Sequence, residues 1–130
     1  MKSPSSEGRD VAVLVVDDHA PFREVLRTVV GRVAGFTVVG EASSGEAAAD
    51  AVALLSPEMV LMDVMMPGIG GIAAARSILS ENPATLVVLI SADDARLRAG
   101  AASLGEGIPW VRKQDLLPAR VAELWRTHRG

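Results

Sequence analysis

The sequence predicts an α/β fold: a doubly wound parallel sheet covered by helices on both faces. Continuous apolar runs indicate fully buried strands, and the stretches between them carry apolar residues at helical spacing. Apolar residues make up 49% of the 130 residues and aromatic residues only 3%, so aliphatic side chains must build the core. A chain of this length forms one domain. We expect that domain at residues 10–130, behind a disordered tail at 1–9.

The predicted strands are short aliphatic runs. They cover residues 11–16, 37–42, 59–63, 86–90 and 110–113. The first run, VAVLVV, has no polar residue on either face, as is typical of a strand covered on both sides. The last strand follows Pro109, and proline suits the beginning of a strand or an edge strand because it lacks an amide hydrogen.

A helix is predicted after each strand. The first begins at Pro21 and carries an apolar stripe that ends at Gly35. The second opens with Ser43 and Glu46, spaced as a capping box, and continues to Leu55. The remaining helices are expected over 71–80, over 94–104 and from residue 118 onward.

Five strand-then-helix units imply right-handed crossovers, and the smallest common arrangement is the flavodoxin-like strand order 2-1-3-4-5. The carboxyl ends of parallel strands lie at one rim of such a sheet. Polar residues follow or end four of the predicted strands: Asp17, Asp18, Asp63, Ser91 and Lys113. We therefore expect these side chains to lie together.

Three carboxylates at one rim repel, since a like-charged pair about 4 Å apart costs on the order of 4 kcal/mol near a protein surface. Mg²⁺ fits the cluster because it prefers carboxylate, carbonyl and water oxygens beside a phosphate, and Lys113 adds a second positive charge. With phosphoryl oxygens neutralised, a carboxylate acts as a nucleophile and forms an aspartyl phosphate. Asp63 is the candidate because it stands alone at the centre, and Ser91 is placed to donate a hydrogen bond to the phosphoryl group.

These motifs, taken in order, resemble the receiver domain of two-component response regulators, the CheY-like family. The resemblance runs from about Val11 to Leu124 and is carried by VLVVDDHAPFREVL, VVGEASSGEAA, VLMDVMMPGIGG, LVVLISA and WVRK. The DDH opening and the GEASSGEA segment are similar to the branch that carries LuxR/NarL-type helix-turn-helix output domains.

The resemblance implies that a sensor histidine kinase phosphorylates Asp63. It also implies that Mg²⁺ binds Asp17, Asp18, Asp63 and the backbone carbonyl of Met65, and that Lys113 contacts the phosphoryl group. Apart from self-phosphorylation and slow loss of the phosphoryl group, we expect no enzymatic activity.

Ser91 and Trp110 match the family's switch hydroxyl and switch aromatic residue. Phosphorylation is then expected to alter the face formed by the fourth helix, fifth strand and fifth helix, and to favour a homodimer. Tryptophan departs from the Tyr or Phe usual at position 110. The chain is expected to be a stand-alone receiver or part of a longer DNA-binding regulator.

Composition bounds the remaining partners. The net charge of −3 argues against direct nucleic-acid contact, and no apolar stretch is long enough for a membrane span. Cysteine is absent, which excludes disulfides and thiolate metal sites and fits the cytoplasm.

Three other functions are weighed against a phospho-acceptor. Gly68, Gly70 and Ala73 spell GxGxxA, but an acidic residue about 20 positions later is missing, so a dinucleotide site is a poor match. An aspartyl-phosphate phosphohydrolase needs a second acid two residues after its nucleophile, where this chain has Met65. A pseudo-receiver, acting as an interaction module without phosphorylation, is the third.

Overall fold

The computed structural model describes residues 10–129. They form one parallel sheet whose strands are β1 (Val11–Val16), β2 (Phe36–Ala42), β3 (Met59–Asp63), β4 (Leu86–Ser91) and β5 (Trp110–Arg112). The strand order is β2-β1-β3-β4-β5, so the predicted fold and order are confirmed, and β5 lies at an edge. The tail predicted at residues 1–9 lies outside the described residues and stays a prediction.

A helix follows each strand, as predicted. The helices are α1 (Ala20–Gly31), α2 (Gly45–Leu55), α3 (Gly70–Glu81), α4 (Asp94–Leu104) and α5 (Pro118–Arg129). A short 3-10 turn at Lys113–Asp115 joins β5 to α5.

The core lies on both faces of the sheet because alternate residues of each buried strand point to opposite sides. On one face, Leu14 and Val16 of β1 pack in a cluster with residues from α2, α3 and α4. On the other face, Val13 and Val15 pack with residues from α1 and α5. The side chains of these four β1 residues are all fully buried, which explains why the apolar run has no polar residue. Each contributes roughly 1.5–3 kcal/mol of transfer free energy.

Two predicted helix boundaries were wrong. The first helix ends at Gly31 rather than Gly35, because the chain turns at Arg32 and Gly35 adopts a φ of 85° directly before β2. Ser44, not Ser43, caps α2: its hydroxyl oxygen accepts a hydrogen bond from the Ala47 amide at 3.0 Å. The cap therefore lies one residue later than the Ser43 and Glu46 spacing indicated.

Two glycines allow close packing around α3. Gly100 lies inside α4, where a β-carbon would collide with the side chain of Ile72 on α3. A β-carbon on Gly71 would overlap the main-chain carbonyl oxygen of Asp63, which is the last residue of β3. The beginning of α3 therefore packs directly against the end of β3, at the rim that carries the acidic residues.

Substituting Gly71 with alanine should destabilise the protein by about 3 kcal/mol, because the clash is with backbone rather than with a movable side chain. The matched control is Gly31→Ala, where a β-carbon meets nothing within 4 Å. It should be neutral or stabilise by about 0.5 kcal/mol, since alanine favours helix. Urea unfolding measures both. Equal stability for the two variants would contradict the packing of α3 on Asp63.

Candidate functional site

Three aspartates meet at the carboxyl ends of β1 and β3. Asp17 and Asp18 directly follow β1, and Asp63 is the last residue of β3. Asp17 is fully buried, Asp63 is 3% exposed, and Asp18 lies at the surface. One carboxylate oxygen from each lies within 4.8 Å of the others. The sheet order brings these residues together because β1 and β3 are neighbours.

Lys113 places a positive charge between the two buried carboxylates. Its Nζ lies 2.8 Å from Oδ2 of Asp17 and 3.6 Å from Oδ2 of Asp63. The Phe22 ring of α1 supports the same ammonium group, with Nζ 4.4 Å from the ring centroid. A cation on an aromatic face at this distance is attracted by the ring's quadrupole. The lysine therefore has a defined position above the rim.

Backbone amides orient the two buried carboxylates. The His19 amide donates to Oδ1 of Asp17 at 2.8 Å, and the Met65 amide donates to Oδ1 of Asp63 at 3.1 Å. Residue i to i+2 bonds of this kind are Asx turns, in which the side chain fixes the loop that follows it. Each carboxylate therefore presents its other oxygen to the space between the strands.

Oδ2 of Asp17 is buried, and its ion-pair partner is the Lys113 ammonium group 2.8 Å away. That one positive charge faces three carboxylates, because an oxygen of Asp18 and one of Asp63 lie within 4.8 Å of an oxygen of Asp17. Like charges this close repel, and a divalent cation would offset the repulsion. Carboxylate oxygens are the donors that Mg²⁺ prefers. The residues present therefore fit a magnesium site.

Burial raises the pKa of Asp63 from 3.8 to about 6. The hydrogen bond from the Met65 amide and the charge of Lys113 oppose this shift, and the negative charges of Asp17 and Asp18 add to it. A raised carboxylate pKa means that the ionised form is disfavoured in the metal-free protein. A bound cation at this rim would favour the ionised form.

Ser91 ends β4, the strand next to β3, and is 1% exposed. Its hydroxyl oxygen accepts a hydrogen bond from the Asp93 amide at 3.1 Å. The Asp93 carboxylate in turn caps α4, accepting from the amides of Ala95 and Arg96. The serine is therefore linked through the β4–α4 loop to the beginning of α4.

Trp110 lies away from the acidic rim. It is the first residue of β5, whereas Lys113 follows the last, and its half-buried side chain packs against the core cluster beneath α4. The Arg98 guanidinium of α4 stands 5.6 Å from the indole centroid. Trp110 is thus positioned between β5 and α4 instead of at the site of chemistry.

The structure brings together four of the residues that the sequence singled out: Asp17, Asp18, Asp63 and Lys113. Met65 contributes its amide, while its side chain is 46% exposed. Two residues were missed, Phe22 and Arg23. Both lie in the first turns of α1, soon after the two aspartates, and the Nη1 atom of Arg23 donates to the Asp17 carbonyl at 2.7 Å. Their closeness in sequence to the aspartates was the only available signal.

A doubly wound five-stranded sheet with this acidic rim is the architecture of a receiver domain. The family model for the response regulator receiver domain matches residues 13–108, and the chain belongs to that family. It is a phospho-accepting signalling domain of two-component systems. No helix within residues 10–129 combines the length and apolar character needed to cross a membrane.

Curated relatives include response regulators and enzymes. Response regulator GacA of Pseudomonas viridiflava is 43% identical over 81 residues, which cover 62% of this chain and 38% of GacA. Protein-glutamate methylesterase/protein-glutamine glutaminase 5 of Myxococcus xanthus is 39% identical over 97 residues, covering 75% of this chain and 28% of that protein. The chain thus spans less than two fifths of either relative.

Among solved structures, the signal receiver domain of NarL from Mycobacterium tuberculosis superposes with a TM-score of 0.80 at 31% identity. The match covers 94% of this chain and 98% of that domain. It agrees with the NarL-type resemblance of the opening motif.

Replacing Asp63 with asparagine should stabilise the metal-free protein at neutral pH. The folded-state pKa of about 6 lies above the unfolded value of 3.8, so the folded state binds more protons and this group lowers stability as the pH rises between those values. At pH 7.5 in EDTA we expect a gain of about 1–3 kcal/mol, which shrinks as the pH falls through 6 toward 4. Urea unfolding across this range measures it.

The control for this experiment is Asp50→Asn, which alters an exposed carboxylate on α2. Its effect on stability should be small across the same range. Saturating Mg²⁺ should remove the advantage of Asp63→Asn. A pH-independent effect of Asp63→Asn would contradict the raised pKa.

Proposed function

We propose that Asp63 is the residue that accepts the phosphoryl group from a sensor histidine kinase. Mg²⁺ is held by the carboxylates of Asp17, Asp18 and Asp63 and by the backbone carbonyl of Met65. The observation that carries the proposal is the cluster of Asp17, Asp18 and Asp63, in which one carboxylate oxygen of each residue lies within 4.8 Å of the others. In the described contacts, Lys113 is the one cation that reaches both buried members, so the cluster keeps an excess of negative charge that a bound cation would offset.

The proposed reaction is a phosphoryl transfer between two side chains. A carboxylate oxygen of Asp63 attacks the phosphorus of the kinase phosphohistidine, a P–O bond forms, and the P–N bond to the imidazole breaks. The imidazole nitrogen keeps the electron pair and takes up a proton. Bound Mg²⁺ supplies charge neutralisation for the phosphoryl oxygens.

Two residues of the chain assist this transfer. Lys113, 3.6 Å from Asp63, neutralises a further phosphoryl oxygen, and the Ser91 hydroxyl donates a hydrogen bond to the product. With Met65 two residues after Asp63, the chain lacks there the second acid that a phosphohydrolase of this kind uses. We therefore propose self-phosphorylation and slow loss of the phosphoryl group, with no turnover of phosphomonoesters.

The proposed signal travels from Ser91 to α4. Because the Ser91 oxygen accepts from the Asp93 amide, and Asp93 caps α4, movement of Ser91 toward a phosphoryl group disturbs the beginning of that helix. Trp110 lies under Arg98 of the same helix and changes its surroundings as α4 moves. The altered face, formed by α4, β5 and α5, then binds an output domain, a separate protein or a second copy of the chain.

We propose that residues 10–130 form the receiver unit and that it works in the cytoplasm. Its similarity to 38% of the length of the response regulator GacA supports a role for this unit in signalling. The match to the methylesterase relative covers only 28% of that protein.

Incubation with acetyl phosphate and Mg²⁺ should add one phosphoryl group to the wild-type protein, measured by intact mass. Asp63→Asn should abolish the adduct because the amide is a poor nucleophile, while Asp50→Asn should leave it unchanged. Omission of Mg²⁺ should slow formation of the phosphoryl adduct by about tenfold or more. An adduct that persists in Asp63→Asn would overturn the assignment. A wild-type protein that takes no phosphoryl group from either acetyl phosphate or a phosphorylated kinase would favour a pseudo-receiver.

Beryllofluoride with Mg²⁺ should change the tryptophan fluorescence through Trp110. The experiment uses a Trp125→Phe background, because Trp125 of α5 would contribute a second fluorescence signal. Its ring packs beside Phe36 of β2 and His128 of α5. Trp110→Phe in the wild-type background controls for the Trp125 contribution. Sedimentation of the same samples reports dimerisation. An unchanged Trp110 spectrum on a protein shown to bind beryllofluoride would refute the switch while leaving the phospho-acceptor assignment intact.

A further inference from the structure

Asp17 makes hydrogen bonds through three of its four polar atoms. Its amide donates to the Ala42 carbonyl at 3.1 Å, and its Oδ1 accepts from the His19 amide at 2.8 Å. Its main-chain carbonyl accepts from Nη1 of Arg23 at 2.7 Å. Among residues 10–129, Arg23 provides the only hydrogen bond to Asp17 that comes from a side chain. The fourth atom, Oδ2, faces the Lys113 ammonium group at 2.8 Å.

Arg23 is itself anchored to the neighbouring strand. Its Nε lies 3.0 Å from Oε1 of Glu41 on β2, and its side chain is 20% exposed. One guanidinium group therefore joins the end of β1 to β2 through two different acceptors. The planar fork of arginine can reach both at once, which a single ammonium group cannot do in the same geometry.

Arg23 is ion-paired with Glu41 and reaches the acidic rim through its hydrogen bond to the Asp17 carbonyl. Arg27 shares the same Glu41 carboxylate, with Nη1 2.9 Å from Oε2, and is 55% exposed. No described contact joins Arg27 to Asp17. Arg23 and Arg27 therefore form a matched pair: both lie on α1 and both bind Glu41. Only Arg23 also bonds to Asp17 in the described contacts.

We propose that Arg23 is a positioning residue for the metal site: it fixes the backbone of Asp17 so that the carboxylate of Asp17 is presented to Mg²⁺. This inference rests on the proposed function, because it concerns the same cation. Groups that orient a metal ligand without touching the metal typically change its affinity substantially. Arg23 takes this role through the carbonyl of the ligand residue, and Glu41 holds Arg23 in place.

The test compares Arg23→Lys with Arg27→Lys, because both variants conserve charge. Calorimetric titration of Mg²⁺ should give a dissociation constant about three- to tenfold weaker for Arg23→Lys and within about twofold of wild type for Arg27→Lys. In the metal-free proteins, amide hydrogen exchange at His19 should accelerate in Arg23→Lys only, because its acceptor on Asp17 becomes less well placed. Thermal unfolding checks that both variants fold.

The outcomes separate this inference from the proposed function. Equal Mg²⁺ affinities for the two variants, with unchanged exchange at His19, would overturn the role of Arg23 while Asp63 remains the phospho-acceptor. An equal loss of affinity in both variants would also overturn it, since it would reflect Glu41 alone. If the wild-type protein binds no Mg²⁺ but His19 still exchanges faster in Arg23→Lys, the metal assignment fails and the positioning of Asp17 stands.

Discussion

The site depends on the balance between the mutual repulsion of the buried carboxylates and their attraction to the Lys113 ammonium group held among them. Asp17 and Asp63 are withdrawn almost completely from water, and burial of Asp63 raises its pKa to about 6. Lys113 is the one cation in the described contacts that reaches both carboxylates. Its single charge does not balance a cluster that also includes Asp18. The metal-free site therefore carries an excess of negative charge, which favours the uptake of a divalent cation.

The beginning of α1 supports this arrangement from one side. The Phe22 ring faces the Lys113 ammonium group, and the next residue, Arg23, holds the Asp17 carbonyl and the Glu41 carboxylate. These two consecutive residues of α1 thus contact Lys113 and Asp17, which belong to the same site.

On the other side of the site, a series of contacts connects Ser91 to α4 and to Trp110. Ser91 binds the amide of Asp93, Asp93 caps the helix, and Arg98 of that helix covers Trp110. Gly100 disfavours α4 locally, because glycine costs about 1 kcal/mol relative to alanine in a helix. In the structure it permits close contact with Ile72 of α3. The same glycine thus weakens the helix locally and lets it pack closely.

The fold, the strand order and the rim where the aspartates meet could all be predicted from the amino-acid sequence. Apolar runs such as VAVLVV and the regular alternation with helices leave few arrangements, and parallel strands place their carboxyl ends at one edge. Helix ends were less predictable: Ser43 and Ser44 are both suitable caps, and only the local geometry chose Ser44. Only the tertiary structure shows the contact of the Phe22 ring with Lys113 and the ion pair of Arg23 with Glu41. Each joins segments far apart in sequence across a few ångströms, a proximity that spacing along the chain does not encode.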